Sequence, residues 1–304
     1  MITRHERGDM KWVDLESPTR DELRAVMAEF SIDPQIEEEI IIPTPYPLMV
    51  TFPEYAYLIL HFPTTDAGGG ARNQEIDIIA GKNFLVTVRY EVVNSILALH
   101  KGFEAEELLG IPERGAGPAL VERILRRLYT AMTEEVDRAA RKLDRIEADI
   151  FSGKERRTVR AISEIGRVLL RFDTTLVRHA EPLEAFLAEL QSTTFFGKKF
   201  EAQASRIQAE REHVAALVTS YRAVAGELRT TNDSLLSSSQ NDVMKTFTMM
   251  TVAFLPLMFI AAIFGMHAKN APILGHAHDF LLIVILMVVV ELLLILYLRL
   301  KKLL

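Results

Sequence analysis

Two long apolar runs near the C-terminal end constrain this chain more than any other feature. Val243 to Phe264 reads VMKTFTMMTVAFLPLMFIAAIF and carries one charge, Lys245. As a helix it rises about 33 Å, enough to cross a hydrocarbon core of about 30 Å. Phe280 to Leu298 reads FLLIVILMVVVELLLILYL, again with one charge, Glu291. Runs this long exceed what a soluble domain usually buries on all faces; a pair of buried core helices is the plainer alternative. Only Gly265 to Asp279 separates the two, so they read as a hairpin of membrane spans. Pro256 removes one backbone donor inside the first span, a loss that neighbouring helices absorb in a bundle.

Flanking charge orients the hairpin. Arg299, Lys301 and Lys302 close the chain, and Arg229 and Lys245 flank the start of the first span. Positive residues beside a span favour the cytoplasmic side. Both termini are therefore expected in the cytoplasm of an inner-membrane protein, with the connection facing outward. The stretch Met1 to Arg7 lacks the apolar core of a signal peptide, so the bulk of the chain is expected to stay where it is made.

The remainder is soluble in character. The chain is 49% hydrophobic and 25% charged, but nearly all its long apolar runs lie beyond Asp242. A net charge of −6 argues against nucleic acid as a partner. The absence of cysteine excludes disulfides and thiolate metal sites. No phosphate loop, nucleophile motif or HExxH pattern is present, so no enzyme is expected.

Trp12 to Leu15 reads as a short strand, and Ser17-Pro18-Thr19 offers a helix cap and a first-turn proline. Leu23, Val26, Met27 and Phe30 follow at helical spacing. Leu48 to Phe62, Glu75 to Ile79 and Asn83 to Arg89 read as strands, the last two joined by a Gly81-Lys82 turn. Asp66 to Asn73 reads as a loop. These signals predict an α/β cytosolic domain over residues 1–110. A helical and stalk region is predicted over 111–242. Within it Val121, Leu125, Leu128, Met132, Val136, Ala139, Leu143, Ile146 and Ile150 form a heptad-like seam. Further helices are predicted from Glu155 to Gln191 and from Lys199 onward. The latter continues into a transmembrane domain over 243–304, with spans at about 243–264 and 280–298. A stalk this long is not stable alone and implies neighbours.

Several segments then carry a resemblance. Phe264-Gly265-Met266-His267 stands directly after the first span. Asn241-Asp242-Val243-Met244-Lys245 and Phe254-Leu255-Pro256-Leu257-Met258-Phe259-Ile260-Ala261 precede it. Trp12-Val13-Asp14-Leu15, the stretch from Ile76 to Val88, and the terminal basic cluster complete an ordered set over nearly the whole chain. This set resembles the CorA family of magnesium transporters, which has Tyr-Gly-Met-Asn where this chain has Phe264 to His267. The resemblance implies a funnel-shaped homopentamer whose five first spans line a pore and whose second spans form an outer ring. It places Asn241, Met244, Phe247, Thr251, Leu255, Met258, Ala262 and Gly265 along that pore. Steps of three and four from Asn241 put most of them on one helical stripe; packing between helices is the competing role for its Met and Leu positions. It also implies divalent cations as cargo and as regulatory ligands between subunits, for which Glu134, Glu135, Asp137, Asp144, Glu147, Asp149 and Asp173 are candidates. No other cofactor is expected; the remaining partner is membrane lipid.

His267 departs from the family pattern. Imidazole is a common ligand for zinc, nickel, cobalt and copper. With His276, His278 and Asp279 in the outer connection, it offers a set that recruits such metals; a solvated loop with incidental histidines is the alternative. Glu291 is an intramembrane carboxylate and so a functional candidate, or else a protonated or snorkelling group on the outer ring. The expected function is a channel for divalent cations: magnesium, with cobalt and nickel as further candidates. Two alternatives stay open: a proton-coupled zinc transporter of the ZntB type, and a non-conducting membrane-anchored metal sensor or scaffold.

Overall fold

The computed structural model describes residues 1–65, 71–109, 116–192, 194–265 and 278–300. The chain divides into two units, Met1–Thr230 and Thr231–Leu304.

The first unit is built on one sheet. Its strands are β1 (Ile2–Arg7), β2 (Met10–Glu16), β3 (Leu48–Thr51), β4 (Tyr55–Thr65), β5 (Ala71–Gly81) and β6 (Phe84–Arg89), in the order β1-β2-β6-β5-β4-β3. Neighbours are antiparallel except β2 and β6, which run parallel with Lys11 opposite Phe84 and Glu16 opposite Arg89. A parallel pair needs a crossover. Here it contains helices α1 (Arg20–Glu29) and α2 (Pro34–Ile41) and strands β3 to β5.

Side chains alternate across a strand, and both faces of this sheet are buried. From β4, Leu58, Leu60 and Phe62 join a large core with α3 (Asn94–Leu108), α4 (Ala116–Phe151), α5 (Glu155–Leu190) and the first part of α6 (Glu201–Gly265). Tyr57 and Ile59 point the other way, into a smaller core with Leu23, Val26 and Met27 of α1 and Ile36 and Ile40 of α2. The sheet is thus the middle of three layers. The expected seam of α4 is buried throughout, from Val121 to Ile150.

Three local expectations need correction. Ser17 does not cap α1: it lies in the left-handed region at φ 44° and its hydroxyl donates to the Tyr90 carbonyl at 2.6 Å. Thr19 is the cap, and Glu22 reaches back to its amide in a capping box. Pro18 therefore precedes the helix; the first-turn proline is Pro34 of α2, behind the Asp33 cap. Finally, Ala71 to Asn73 belong to β5, opposite Thr65 to Pro63, while 66–70 of the expected loop lie outside the described residues.

Charged groups sit inside this fold. The Asp14 carboxylate accepts from Thr87 at 2.6 Å, His100 at 2.9 Å and Arg89 at 3.0 Å, and Arg89 also pairs with Glu16 at 2.6 Å. Burial pushes the Asp14 carboxyl up, but these donors together outweigh it and hold it below the ordinary carboxylate range. Because Nε2 of His100 donates to Asp14, its Nδ1 accepts from Nε2 of His5 at 2.8 Å when the ring is neutral. That contact ties the edge strand β1 to α3.

Asp77 has the opposite environment. Burial, reinforced by Glu75, raises its carboxyl well above the ordinary range, and only Tyr90 opposes this. The Tyr90 hydroxyl donates to Oδ2 of Asp77 at 3.1 Å and also meets the Ile40 carbonyl, while Oδ1 of Asp77 is buried without a hydrogen-bond partner among the described residues. The folded state then keeps a proton that the unfolded chain releases above about pH 4. Stability from this group is present in full below that pH and declines as pH rises toward the folded pKa. Asp77→Asn is expected to raise the thermal midpoint at pH 7 to 8, with the gain shrinking toward pH 4. Midpoints of both proteins across that range check it; a pH-independent difference would place Asp77 in its ionised form.

Candidate ion pathway

The second unit holds the rest of α6, from Thr231 to Gly265, and α7 (Asp279–Leu300). Both helices are long and apolar enough to cross a membrane. Pro256 lies inside α6. Threonine hydroxyls are satisfied along the same helix: Thr246, Thr248 and Thr251 donate to the carbonyls of Asp242, Met244 and Phe247 at 3.0, 2.8 and 2.9 Å. The expected lining residue Thr251 therefore presents oxygen lone pairs rather than a free hydrogen.

The two faces of this part of α6 differ. Met249, Val252, Ala253, Pro256, Leu257, Ile260 and Phe264 are half-buried and recur at helical spacing. Asn241, Met244, Phe247, Thr251, Leu255, Met258, Ala262 and Gly265 are exposed. At about 100° per residue their stripe lies opposite the half-buried one. Met244, Phe247, Leu255 and Met258 are each more than three-fifths exposed, so apolar side chains on this face lack cover within one copy. The face needs lipid or further copies of the chain against it.

On α7 the covered positions are Ile283, Met287, Val290, Glu291, Leu294 and Leu298. Glu291 thus stands on the covered stripe of α7 within one copy. Its Oε2 is buried without a hydrogen-bond partner among the described residues. Of the expected outer-mouth residues, Met266, His267 and His276 lie outside the described residues. His278 is exposed in the turn before α7, and Asp279 opens that helix.

The candidate regulatory carboxylates do not converge within one copy among the described residues. Glu134 pairs with Arg127 at 3.1 Å, Glu135 with Arg138, Asp149 with Lys154 at 2.7 Å, and Asp173 with Arg222. Asp137, Asp144 and Glu147 have no ion pair among the described residues, and no three acidic or imidazole groups there sit close enough to hold a metal.

A second polar constellation has no counterpart in the sequence patterns. His179 of α5 lies at the backbone of β4, with Nε2 2.9 Å from the His61 carbonyl and Nδ1 3.1 Å from the Tyr129 hydroxyl. Burial pushes the His179 imidazole down to about 3, so it is neutral. His61 in turn sets Nε2 2.6 Å from the Thr44 carbonyl and 3.1 Å from Glu75. A histidine and a glutamate on neighbouring strands were the available signal, but strand register is needed to pair them.

A three-layer α/β unit followed by two helices able to span a bilayer, the first with an uncovered stripe, defines a two-span membrane protein. The chain belongs to the CorA-like Mg2+ transporter protein family, whose sequence pattern matches residues 7–302. It is 22% identical over 302 residues to the cobalt/magnesium transport protein CorA of Thermotoga maritima, spanning 96% of this chain and 82% of that one. The complete CorA magnesium transporter of Methanocaldococcus jannaschii superposes with a TM-score of 0.83 at 20% identity, covering 97% of this chain and 92% of that one. The ZntB cytoplasmic domain of Vibrio parahaemolyticus fits less well, with a TM-score of 0.59 at 11% identity over 77% of this chain and 90% of that one.

The orphan oxygen of Glu291 gives a direct test of whether a second copy satisfies it. A buried polar atom with no partner costs about 1–3 kcal/mol. If the carboxyl stays unpartnered in the assembly, Glu291→Leu raises the thermal midpoint in lipid nanodiscs, while Glu291→Gln leaves it near that of the parent. A lowered midpoint for Glu291→Leu would show that another copy supplies the missing partner.

Proposed function

We propose that this chain is a homopentameric channel for divalent metal cations, magnesium above all, with cobalt and nickel as further cargo. The observation that carries this is the uncovered stripe of α6, set opposite its half-buried stripe in a member of the CorA-like family. Five copies turning that stripe inward would cover it and enclose a path. The proposed division of labour follows the sequence: an α/β domain at 1–110, helices and stalk at 111–242, and the pore-forming hairpin at 243–304. The charge bias of Arg229, Lys245, Arg299, Lys301 and Lys302 supports an inner-membrane protein with both termini in the cytoplasm. The role is transport rather than catalysis.

Magnesium dehydrates reluctantly and prefers oxygen ligands. A ring of Asn241 amides would accept hydrogen bonds from the water shell without stripping it. Met244, Phe247, Leu255 and Met258 would then form apolar constrictions that close by expelling water. Because each copy lacks a metal cluster among its described residues, regulation by cytosolic cations would need carboxylates from two copies. Asp137, Asp144 and Glu147 are the candidates without an ion pair among the described residues.

Flux into liposomes tests the pathway. Asn241→Leu is expected to cut magnesium flux by about tenfold or more, consistent with loss of about 1.4 kcal/mol or more in ion stabilisation, while native mass spectrometry still shows a pentamer. Met244→Ser is expected to hydrate the constriction and raise leak. Unchanged flux in both variants would remove this stripe from the pathway, and no flux in the parent protein would favour a sensor or scaffold.

The buried carboxyl oxygen of Glu291 supports a second reading, proton-coupled zinc import of the ZntB type. The outer mouth separates the two. If five His267 rings stand there, their protonation as external pH falls through the histidine range repels cations and lowers influx. His267→Asn is expected to flatten that profile and to shift preference from zinc, nickel and cobalt toward magnesium. Influx that rises at low external pH and depends on Glu291 would establish proton coupling instead.

A further inference from the structure

Beside α5, near the end of β4, the first unit holds a cavity of about 240 Å³. His61, Asn73, Arg171, Thr174, Thr175 and Arg178 contribute to its lining, and no carboxylate does. In a chain of net charge −6, two arginines and no carboxylate among the described lining residues form a local reversal of sign, with Glu75 one step behind, against His61. Neither Arg171 nor Arg178 has an ion pair among the described residues, whereas Arg4, Arg24, Arg89, Arg123 and Arg206 each have one. They stand two turns apart on α5, with Thr174 between them, so their long side chains flank one spot on that helix.

His61 supplies an independent observation. Its side chain is about nine-tenths buried, and its Nε2 faces two acceptors, the Thr44 carbonyl and Glu75. That nitrogen therefore carries the ring's hydrogen, and Glu75 is spent on it from behind. The other nitrogen, Nδ1, is buried without a hydrogen-bond partner among the described residues. The wall thus combines two guanidinium groups without ion pairs, an amide and two threonines with an imidazole whose unmet Nδ1 is an acceptor, a partner for a ligand O–H or N–H rather than for a phosphate oxygen.

We propose that this cavity binds the phosphate group of a small phosphorylated ligand. The Thr174 hydroxyl is spent on the Leu170 carbonyl at 2.9 Å, but two guanidinium forks alone offer more donors than the two oxygens of a carboxylate can use, while a phosphate has three peripheral oxygens to receive them. The volume accommodates the phosphate with a sugar-sized group attached. The site lies wholly within Met1–Thr230 and does not rest on the transport reading.

Isothermal titration of the full-length protein in detergent, with a chelator present to remove divalent cations, tests this. The probes are inorganic phosphate and adenosine monophosphate. Saturable binding of at least one is expected, weakened about tenfold by Arg171→Gln or Arg178→Gln and more by the pair. Tighter binding of the nucleotide identifies a phosphate ester as the ligand; equal or tighter binding of phosphate identifies the free anion. Arg167→Gln, a turn away on the same helix but outside the cavity, should leave binding unchanged. The proposal is overturned if neither probe binds saturably by about 10 mM, a strength of about 3 kcal/mol. It is equally overturned if Arg167→Gln weakens binding as much as the cavity variants, which would reduce the effect to general charge. A change in oligomeric state on replacing Arg171 and Arg178, without phosphate binding by the parent, would assign the cavity to contact between copies.

Discussion

Uncovered apolar surface on α6 and α7 is the constraint to which the second unit answers. Each helix satisfies its own backbone, as a segment in a hydrocarbon environment must, apart from the one donor that Pro256 removes from α6. Each also leaves most of its circumference without protein against it. One copy covers only a stripe of each. A lipid bilayer and further copies are the two ways to cover the rest, and in the proposed assembly they would act on different faces. The stripe through Met244, Phe247, Leu255 and Met258 is where copies meeting copies would replace lipid, because Asn241 and Thr251 on the same stripe carry oxygens that lipid tails cannot serve.

The first unit answers a different constraint. A sheet buried on both faces has no wet side on which to place polar residues. Asp14, Asp77, Glu75 and Arg89 are nevertheless inside it. The fold resolves these charges in two ways. Asp14 is ligated by Arg89, His100 and Thr87, which hold its carboxyl below the ordinary range, whereas burial beside Glu75 raises that of Asp77 well above it. Removing one partner from a buried ion pair typically costs about 3–5 kcal/mol, so the Asp14 cluster fixes the β2–β6 register.

Periodic features were legible in the sequence. The α4 seam from Val121 to Ile150 is buried at every named position. Non-periodic features were not. Strand β1, ITRHER, has one aliphatic residue and is held at the sheet edge by pairing with β2 and by His5, neither of which leaves a local pattern. The cap of α1 was misplaced because Ser17 and Thr19 both flank Pro18; the deciding signal was Glu22, three residues after Thr19. The His61 cavity was invisible because its parts meet only in three dimensions: the contact from His61 to His179 spans 118 residues.

The parallel pairing of β2 with β6 also bears on how the chain is made. Thr87 and Asp14, hydrogen-bonded across that pair, lie 73 residues apart. During synthesis β1 and β2 can form a hairpin at once, but the inner edge of β2 stays unpaired until β6 has emerged. Contacts so distant in sequence are slow to form and leave strand edges open to mispairing. Asp14 meanwhile remains in water, since the groups that ligate it from β6 and α3 arrive last. The hydrated charge keeps that open edge soluble during the wait, and is desolvated only when its partners close around it.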